Sequence, residues 1–467
     1  MTREAYDAIV IGSGQAAGQL CRELAASGRR TALVEREHIG GTCINEGCTP
    51  TKTLVASARI ADRARHADLY GVRAAPVRVD LQAVRQRMRG IVESFGGGLP
   101  DDAAEWSDDP NLELIIGDAR FTGPRSLAVA VRGGAERQLD ARQVFIDVGC
   151  RPSRPPIPGL DAVASLDSRS ILDLGELPEH LLVLGGGYIG LEYAQMYRRF
   201  GSRVTLVHRG KQLLAREDPD VAEEVAGLLR EDGIELVLEA ETRGVAGRGK
   251  EIVLSLASAA GKPELVGSHL LVATGRVPNT DRLGLDVADV RTDRQGFIVV
   301  DERLQTSAEG VFALGDVKGG PAFTHISYDD YRIVAANLLE GGARSTADRL
   351  VPYVVFIDPQ LGRVGLTETE ARAQGREIRV AKLGMDSVAR AIEAGETRGS
   401  MKVIVDARAD TILGAAILGL EGGEIMAMLQ IAMLAKLPYT RLRDGIFAHP
   451  TLAEAFNLLF YSFEEQV

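Results

Sequence analysis

Ala5-Tyr6-Asp7-Ala8-Ile9-Val10-Ile11-Gly12-Ser13-Gly14-Gln15-Ala16-Ala17-Gly18 decides how this chain begins to fold. Its first seven residues read as an apolar strand, and a helical stretch runs from the glycines to Ser27. A second strand, Thr31–Glu35, ends in an acid. Strand, turn, helix and strand in this order open a nucleotide-binding half of a parallel α/β sheet. Gly12 permits the tight turn and Gly14 lets backbone approach a pyrophosphate. Ala17, an allowed substitute for a third glycine, lets helix and strand pack closely. The phosphates then meet the positive end of a helix, and Glu35 is placed to accept hydrogen bonds from ribose hydroxyls.

The same grammar returns at Leu181–Leu184, Gly185-Gly186-Gly187-Tyr188-Ile189-Gly190, a helix to Phe200 and the strand Arg203–Val207. Gly185, Gly187 and Gly190 complete the motif, but the strand runs on into His208-Arg209, where the first module has an acid. A carboxylate there repels a 2′-phosphate and an arginine pairs with it. NADPH is therefore expected over NADH, with Arg209 on the phosphate and His208, Lys211 or Arg216 nearby.

At 467 residues the chain is too long for one core, and roughly 100–200 residues per domain suggests about three. A net charge of −11 argues against a nucleic-acid or anionic-membrane surface. No apolar run reaches the ~20 residues of a bilayer span, and no basic leader precedes the first strand. The expectation is a cytoplasmic protein. Gly71–Asp102 reads as a loop and then a helix, and Asn111–Arg154 as a small antiparallel sheet. The four prolines of Pro152–Pro158 mark a crossover between the two nucleotide modules. Beyond Thr346 the pattern is that of a separate α+β domain. Strands are expected near Tyr353–Ile357, Met401–Val405 and Ile412–Leu418, and helices over Gly422–Lys436 and Thr451–Ser462.

Four cysteines in so long a chain do not make a disulfide scaffold. Two stand close, in Gly40-Gly41-Thr42-Cys43-Ile44-Asn45-Glu46-Gly47-Cys48-Thr49-Pro50-Thr51-Lys52. Thiol–disulfide exchange needs paired sulfurs held in a tight turn. Thr49 and Pro50 look like a helix opening, which places Cys48 near a positive helix end that lowers a thiol pKa. Cys21 and Cys150 read as small buried hydrophobes. A zinc-held pair at Cys43 and Cys48 lacks a second CxxC or a nearby histidine pair, so no metal site is expected.

These motifs, with Ala273-Thr274-Gly275-Arg276-Val277-Pro278-Asn279, Val311-Phe312-Ala313-Leu314-Gly315-Asp316 and His449-Pro450-Thr451-Leu452-Ala453-Glu454, resemble the FAD-dependent pyridine nucleotide–disulfide oxidoreductases over nearly the whole length. The group includes glutathione reductase, dihydrolipoamide dehydrogenase and mercuric reductase. Gly41–Leu54 and the helix opening at Thr324 look most similar to its mercuric reductase-like and reactive-chlorine-resistance members. The resemblance implies two Rossmann-like nucleotide-binding domains and a C-terminal α+β dimerisation domain. The FAD-binding parts would be 1–155 and 277–345, the NAD(P)H domain 156–276 and the dimerisation domain 346–467. It implies FAD on Gly12, Gly14, Ala17, Glu35 and Asp316, and further cofactor contacts at Gly41, Thr42, Lys52, Gly149, Gly275 and Gly315.

In that family's pattern Cys48 is the flavin-side sulfur and Cys43 the sulfur that meets substrate. Lys52 would lie near flavin N5 and pair with Glu192, and Tyr188 would cover the flavin. His449, oriented by Glu454, would be the acid–base group reaching the disulfide of the other subunit, so a homodimer is implied. Electrons would pass from NADPH through FAD to Cys43–Cys48 and on to a disulfide substrate.

The chain departs from the pattern at Phe447, where relatives often carry histidine, and at Asp147-Val148-Gly149-Cys150, where they often show Ala-Thr-Gly. It closes on Phe463-Glu464-Glu465-Gln466-Val467 without the paired cysteines that hand over mercury. The alternative reading is an NAD(P)H-dependent reductase of Hg(II), Cu(II) or an electrophile through the same dithiol. A flavoprotein serving as a binding or signalling subunit is the reading from outside catalysis.

Overall fold

The structure, a computed structural model, describes residues 3–97, 108–258, 261 and 263–463. The end of the expected 71–102 segment and the terminal Glu464–Val467 lie outside the described residues. Cα packing divides the chain into two compact units. Met1–Thr53, Gln86–Ser153 and Gly275–Arg349 form one; Leu54–Arg85, Arg154–Thr274 and Leu350–Val467 form the other.

In the first unit Arg3–Ile11 pairs in parallel with Thr31–Glu35 on one side and Glu136–Ile146 on the other. Leu112–Gly123 and Val311–Ala313 extend this sheet in parallel at its two ends. The antiparallel strands expected over Asn111–Arg154 are present, and they are continuous with this parallel sheet. Leu112–Gly123 and Glu136–Ile146 are long enough to serve twice, one part of each in the parallel sheet and the remainder joined antiparallel by Ser126–Val131.

Successive side chains point to opposite faces of a strand. Ala8, Val10 and Leu33 thus pack with Leu20, Leu24, Ile333 and Val334 of the helices Ala17–Ala26 and Thr324–Leu339. Ile9, Ile11, Ala32 and Val34 pack on the other side with Phe121, Leu127 and Leu139. Burial on both faces is why the opening strand is continuously apolar; each large side chain so buried contributes roughly 1.5–3 kcal/mol. Cys150–Pro152 pairs antiparallel with Arg276–Pro278, and the N–H of Ser153 donates to the Gly275 carbonyl at 2.9 Å. The chain therefore leaves this unit and returns to it at adjacent points.

The second unit carries a parallel sheet in the order His269–Val272, His180–Leu184, Arg203–Val207, Glu235–Val237. An antiparallel sheet, Ala240–Arg248, Glu251–Ser258 and Glu264–Gly267, shares its core. The C-terminal part is a five-stranded sheet ordered Tyr353–Val355, Gln360–Gly365, Ile412–Gly419, Ser400–Asp406, Ile378–Gly384. Helices Gly422–Leu434 and Ala455–Tyr461 pack in the same core as these strands. Two of the strands, Gln360–Gly365 and Ile378–Gly384, go beyond the three that alternation marks. In the first, alternation is interrupted by Gly362, where an added Cβ meets the Gly422 carbonyl at 2.4 Å. The helix expected from Thr451 starts at Ala455.

Ion pairs join the parallel-sheet and C-terminal parts of this unit. Lys402 Nζ, 3% exposed, lies 3.2 Å from Asp218, 2.8 Å from Asp220 and 2.9 Å from Glu368. Arg199 pairs with Asp358, and with Asp232 at 3.3 Å. Burial alone pushes the Asp218 carboxyl up, but the hydroxyl and N–H of Thr369, the N–H of Glu368 and the charge of Lys402 outweigh it and hold it at about 2. Among the described residues no helix is long and apolar enough to cross a membrane.

Candidate active site

Helix Cys48–Arg65 starts on the second cysteine, so Cys48 sits at the positive end of an 18-residue dipole. The turn before it is tight because Gly47 has no side chain; a Cβ there meets the Thr42 carbonyl at 2.8 Å. Both cysteines are thiols, Cys43 half-buried and Cys48 exposed. One hydroxyl spans them. Thr324, first residue of Thr324–Leu339, donates from Oγ1 to Cys43 Sγ at 2.9 Å and stands 3.4 Å from Cys48 Sγ. The hydrogen bond with Cys48, then burial and the neighbouring thiolate charge, push the Cys43 thiol up. Lys52 follows one helical turn after Cys48 and is half-buried.

The first glycine loop is as tight as its sequence requires. Gly12 adopts φ 90°, and a Cβ there meets the Asp147 carbonyl at 2.5 Å. Gly41, at φ 59°, lies against Gly14. Ala17 is the first residue of its helix, and its N–H donates to Asp147 Oδ2 at 3.1 Å. Glu35 Oε2 accepts from the N–H of Ser13 at 2.8 Å and from its hydroxyl at 2.7 Å, and Oε1 accepts the Glu37 N–H at 2.6 Å. The carboxylate that the sequence reserves for a ribose also holds the loop. Asp316 lies in the turn Gly315–Lys318, where burial pushes its carboxyl up against the pull of Arg276 and Lys318. Gly315 donates its N–H to Asp330 Oδ2 at 2.8 Å. An added Cβ at Gly149 meets nothing within 4 Å, and Asn279 N–H donates to the Gly149 carbonyl at 3.1 Å. A helix N-terminus, a side-chain-free loop and open space beside Gly149 fit an adenine dinucleotide such as FAD.

The second loop repeats this with a stricter third position. A Cβ at Gly185 meets the Ala273 carbonyl at 2.2 Å, and one at Gly190 meets the Gly185 carbonyl at 2.1 Å. At Gly187 there is open space, and Tyr188 begins the helix Tyr188–Phe200. His208 Nδ1 accepts the Gly186 N–H at 3.2 Å. Burial, and behind it the charge of Arg209, push that imidazole below its ordinary range, so it is neutral and tied to the loop. Arg209, Lys211 and Arg216 are exposed. Gly275 adopts φ 134°. Glu192 is buried in the second unit, with Oε1 accepting the Phe356 N–H at 2.8 Å.

His449 is exposed, and its Nδ1 lies 3.0 and 3.1 Å from the two carboxylate oxygens of Glu454, the N-cap of Ala455–Tyr461. The sequence pattern brought these two residues together correctly. It did not mark Thr324 as a partner of the sulfurs; its place at the start of a helix was the available signal. Nor did it mark Glu37, His38 and Glu46, which bring potential ligand atoms within 4.8 Å of one another.

The chain belongs to the pyridine nucleotide-disulphide oxidoreductases: residues 6–330 match the family itself and residues 351–460 its dimerisation domain. It is an FAD-dependent NAD(P)H oxidoreductase that works through a redox disulfide. Among individual relatives, it is 40% identical over 459 residues to the probable pyridine nucleotide-disulfide oxidoreductase RclA of Escherichia coli strain K12, covering 97% of this chain and 98% of that one. It is 35% identical over 466 residues to a mercuric reductase of Streptomyces lividans, covering 99% and 97%. A solved Cu(II) complex of the HOCl-induced flavoprotein disulfide reductase RclA from Escherichia coli superposes with a TM-score of 0.88 at 39% identity, covering 98% of this chain and 99% of that one.

Proposed function

We propose that the enzyme draws on NADPH and reduces a disulfide substrate through Cys43 and Cys48, in a homodimer whose partner copy supplies His449 and Glu454. The observation that carries this reading is the single Thr324 hydroxyl shared by both sulfurs at the head of an 18-residue helix. Bound FAD supplies the two-electron relay between nicotinamide and sulfur. Gly12, Gly14 and Ala17 leave room for its diphosphate, Glu35 and Asp316 take its hydroxyls, and Gly41, Thr42, Lys52, Gly149 and Gly315 line its path. Gly185, Gly187, Gly190 and Gly275 shape the nicotinamide module, with Tyr188 at its mouth and Arg209 on the 2′-phosphate. In this reading the FAD-binding parts are 1–155 and 277–345, the NADPH domain 156–276 and the dimer domain 346–467.

Two electrons and two protons convert the Cys43–Cys48 disulfide to a dithiol. Cys43 gives its proton to His449 and attacks one substrate sulfur, displacing the other as a thiolate. With Nδ1 on Glu454, the Nε2 of His449 is left to return that proton to the leaving thiolate. Cys48 then attacks the Cys43 sulfur of the mixed disulfide; its own proton passes through His449 to the second substrate sulfur, which leaves as a thiol, and the Cys43–Cys48 disulfide is restored. Exposed Ile431, Leu434, Ile446, Leu458 and Tyr461 on the C-terminal elements support burial against a second copy. A cytoplasmic place of action belongs to this reading, because a dithiol fed by NADPH operates where thiols are kept reduced.

A second reading, reduction of a metal ion on the same dithiol, is supported by the Cu(II) complex of RclA. NADPH oxidation with a panel of disulfides, lipoamide, quinones, Cu(II) and Hg(II), on wild type and Cys43→Ser, decides between them. Turnover of a disulfide that Cys43→Ser abolishes is the expected result. Turnover of metal ions alone favours the second reading, and turnover indifferent to Cys43→Ser overturns both.

A further inference from the structure

Asp147 stands where the second module has Ala273. Each residue follows a strand that pairs in parallel with the opening strand of its module, and each presents its carbonyl to the first glycine of its loop, at 2.5 Å from a Cβ built on Gly12 and 2.2 Å from one built on Gly185. Alanine satisfies that backbone role, so the Asp147 carboxyl is not needed for the turn. Its side chain is nonetheless fully enclosed in the flavin module. Positions for a Cβ at Gly14 and Gly315 lie 2.6 Å from Oδ2 and 2.7 Å from Oδ1. Asp147 is 5% exposed. Oδ2 accepts the Ala17 N–H, at the helix end where a diphosphate is drawn.

The neighbouring charges make this an unwelcoming place for a carboxylate. Asp316 faces it from the turn Gly315–Lys318 and Asp330 from Thr324–Leu339. Lys318, at 3.2 Å, and Arg349, at 2.7 Å, are engaged with Asp330, and Arg276 acts on Asp316. Glu35 directs its carboxylate to Ser13, and Cys21, on the same helix as Ala17, is a buried thiol. Among the described residues no Lys or Arg pairs with Asp147. Burial pushes its carboxyl well above the usual carboxylate range; the N–H groups of Ala17 and Ala16 pull it down, and Asp316 and Asp330 push it further up.

We propose that Asp147 is a proton-linked determinant of FAD retention: held as the neutral acid, it lets the flavin's diphosphate share the Ala17 helix end, and once ionised it repels that diphosphate. The inference rests on the FAD reading of this loop. Retention is full while Asp147 keeps its proton and falls as the pH rises through its titration. One linked proton weakens binding by at most about tenfold per pH unit.

The test is release of FAD from the diluted holoenzyme, read by flavin fluorescence between about pH 6 and about pH 10, with circular dichroism reporting the fold. In wild type the dissociation constant should climb at least about tenfold across that range. Asp147→Asn, neutral and of the same shape, and Asp147→Ala, which copies Ala273, should hold FAD with a flat profile. A flat wild-type profile, or the same climb in a folded variant, overturns the proposal while leaving the FAD reading intact. Protein that never holds FAD at any pH instead defeats that reading.

Discussion

Two glycine loops, Gly12–Gly18 and Gly185–Gly190, are secured by the same device. In each, the residue after the first glycine donates its N–H to a side chain at the end of the second strand: Ser13 to Glu35, Gly186 to His208. The anchors differ in charge, an acid with three acceptor bonds against a neutral imidazole followed by Arg209. The third motif position differs too, since Ala17 carries the methyl group that Gly190 has no room for. One architecture thus serves two nucleotides by changing what stands at the end of one strand. The first module also carries the sulfurs, so in the function proposed above one region empties electrons and the other loads them.

His449→Ala tests that division most severely. Loss of a positioned acid–base group costs about 10²–10⁴ in rate, and it should fall on disulfide turnover while flavin reduction by NADPH, followed by stopped flow, stays near wild type. Equal losses in both would erase the partition. Gly190→Ala should do the reverse. Its new methyl overlaps a carbonyl, and overpacking of about 1–3 kcal/mol slows reduction by NADPH roughly tenfold to a hundredfold with the FAD content unchanged. Ala17→Gly, by contrast, should only lower the melting temperature, by the ~1 kcal/mol of a helical glycine. Arg209→Glu should lower the NADPH-to-NADH ratio of kcat/KM by up to about fivefold, the scale of an exposed ion pair. An unchanged ratio would remove Arg209 from the phosphate.

The smallest effect is a pH profile. His208 is held below its ordinary value, so what its neutral form contributes is complete above the unfolded imidazole value of roughly 6.5. That contribution is lost as the pH falls from there through the lowered folded value. In the folded enzyme that imidazole protonates only at the lowered value, so KM for NADPH should rise roughly threefold there, on the acid side. His208→Asn, which keeps an acceptor for the Gly186 N–H and cannot titrate, should flatten the rise.

Much of this was legible before any coordinates. The strands Thr31–Glu35 and Arg203–Val207 and the helix ending at Phe200 fall where periodicity and glycine spacing put them, because both faces of a parallel sheet are apolar and the turn chemistry is local. His449 and Glu454 meet because five residues of chain bring them together. What stayed hidden depends on distant segments. Thr324 reaches the sulfurs across more than 270 positions of sequence, and no local pattern encodes that encounter. Gln360–Gly365 is a strand without an alternating pattern, held between neighbours that its glycines allow close. The dual use of Leu112–Gly123 follows from its length and its pairing partners, neither of which alternation reveals.

The hydrogen bond from Ser153 to Gly275 has an engineering consequence. A stretch whose entry and exit lie one bond apart behaves as a cassette, so a nucleotide module of different coenzyme preference can be spliced in between these two residues without stretching the backbone of its host. The graft must bring its own counterparts of Asp218, Asp220 and Asp232; without them Lys402 keeps only Glu368, and Arg398 only Glu396.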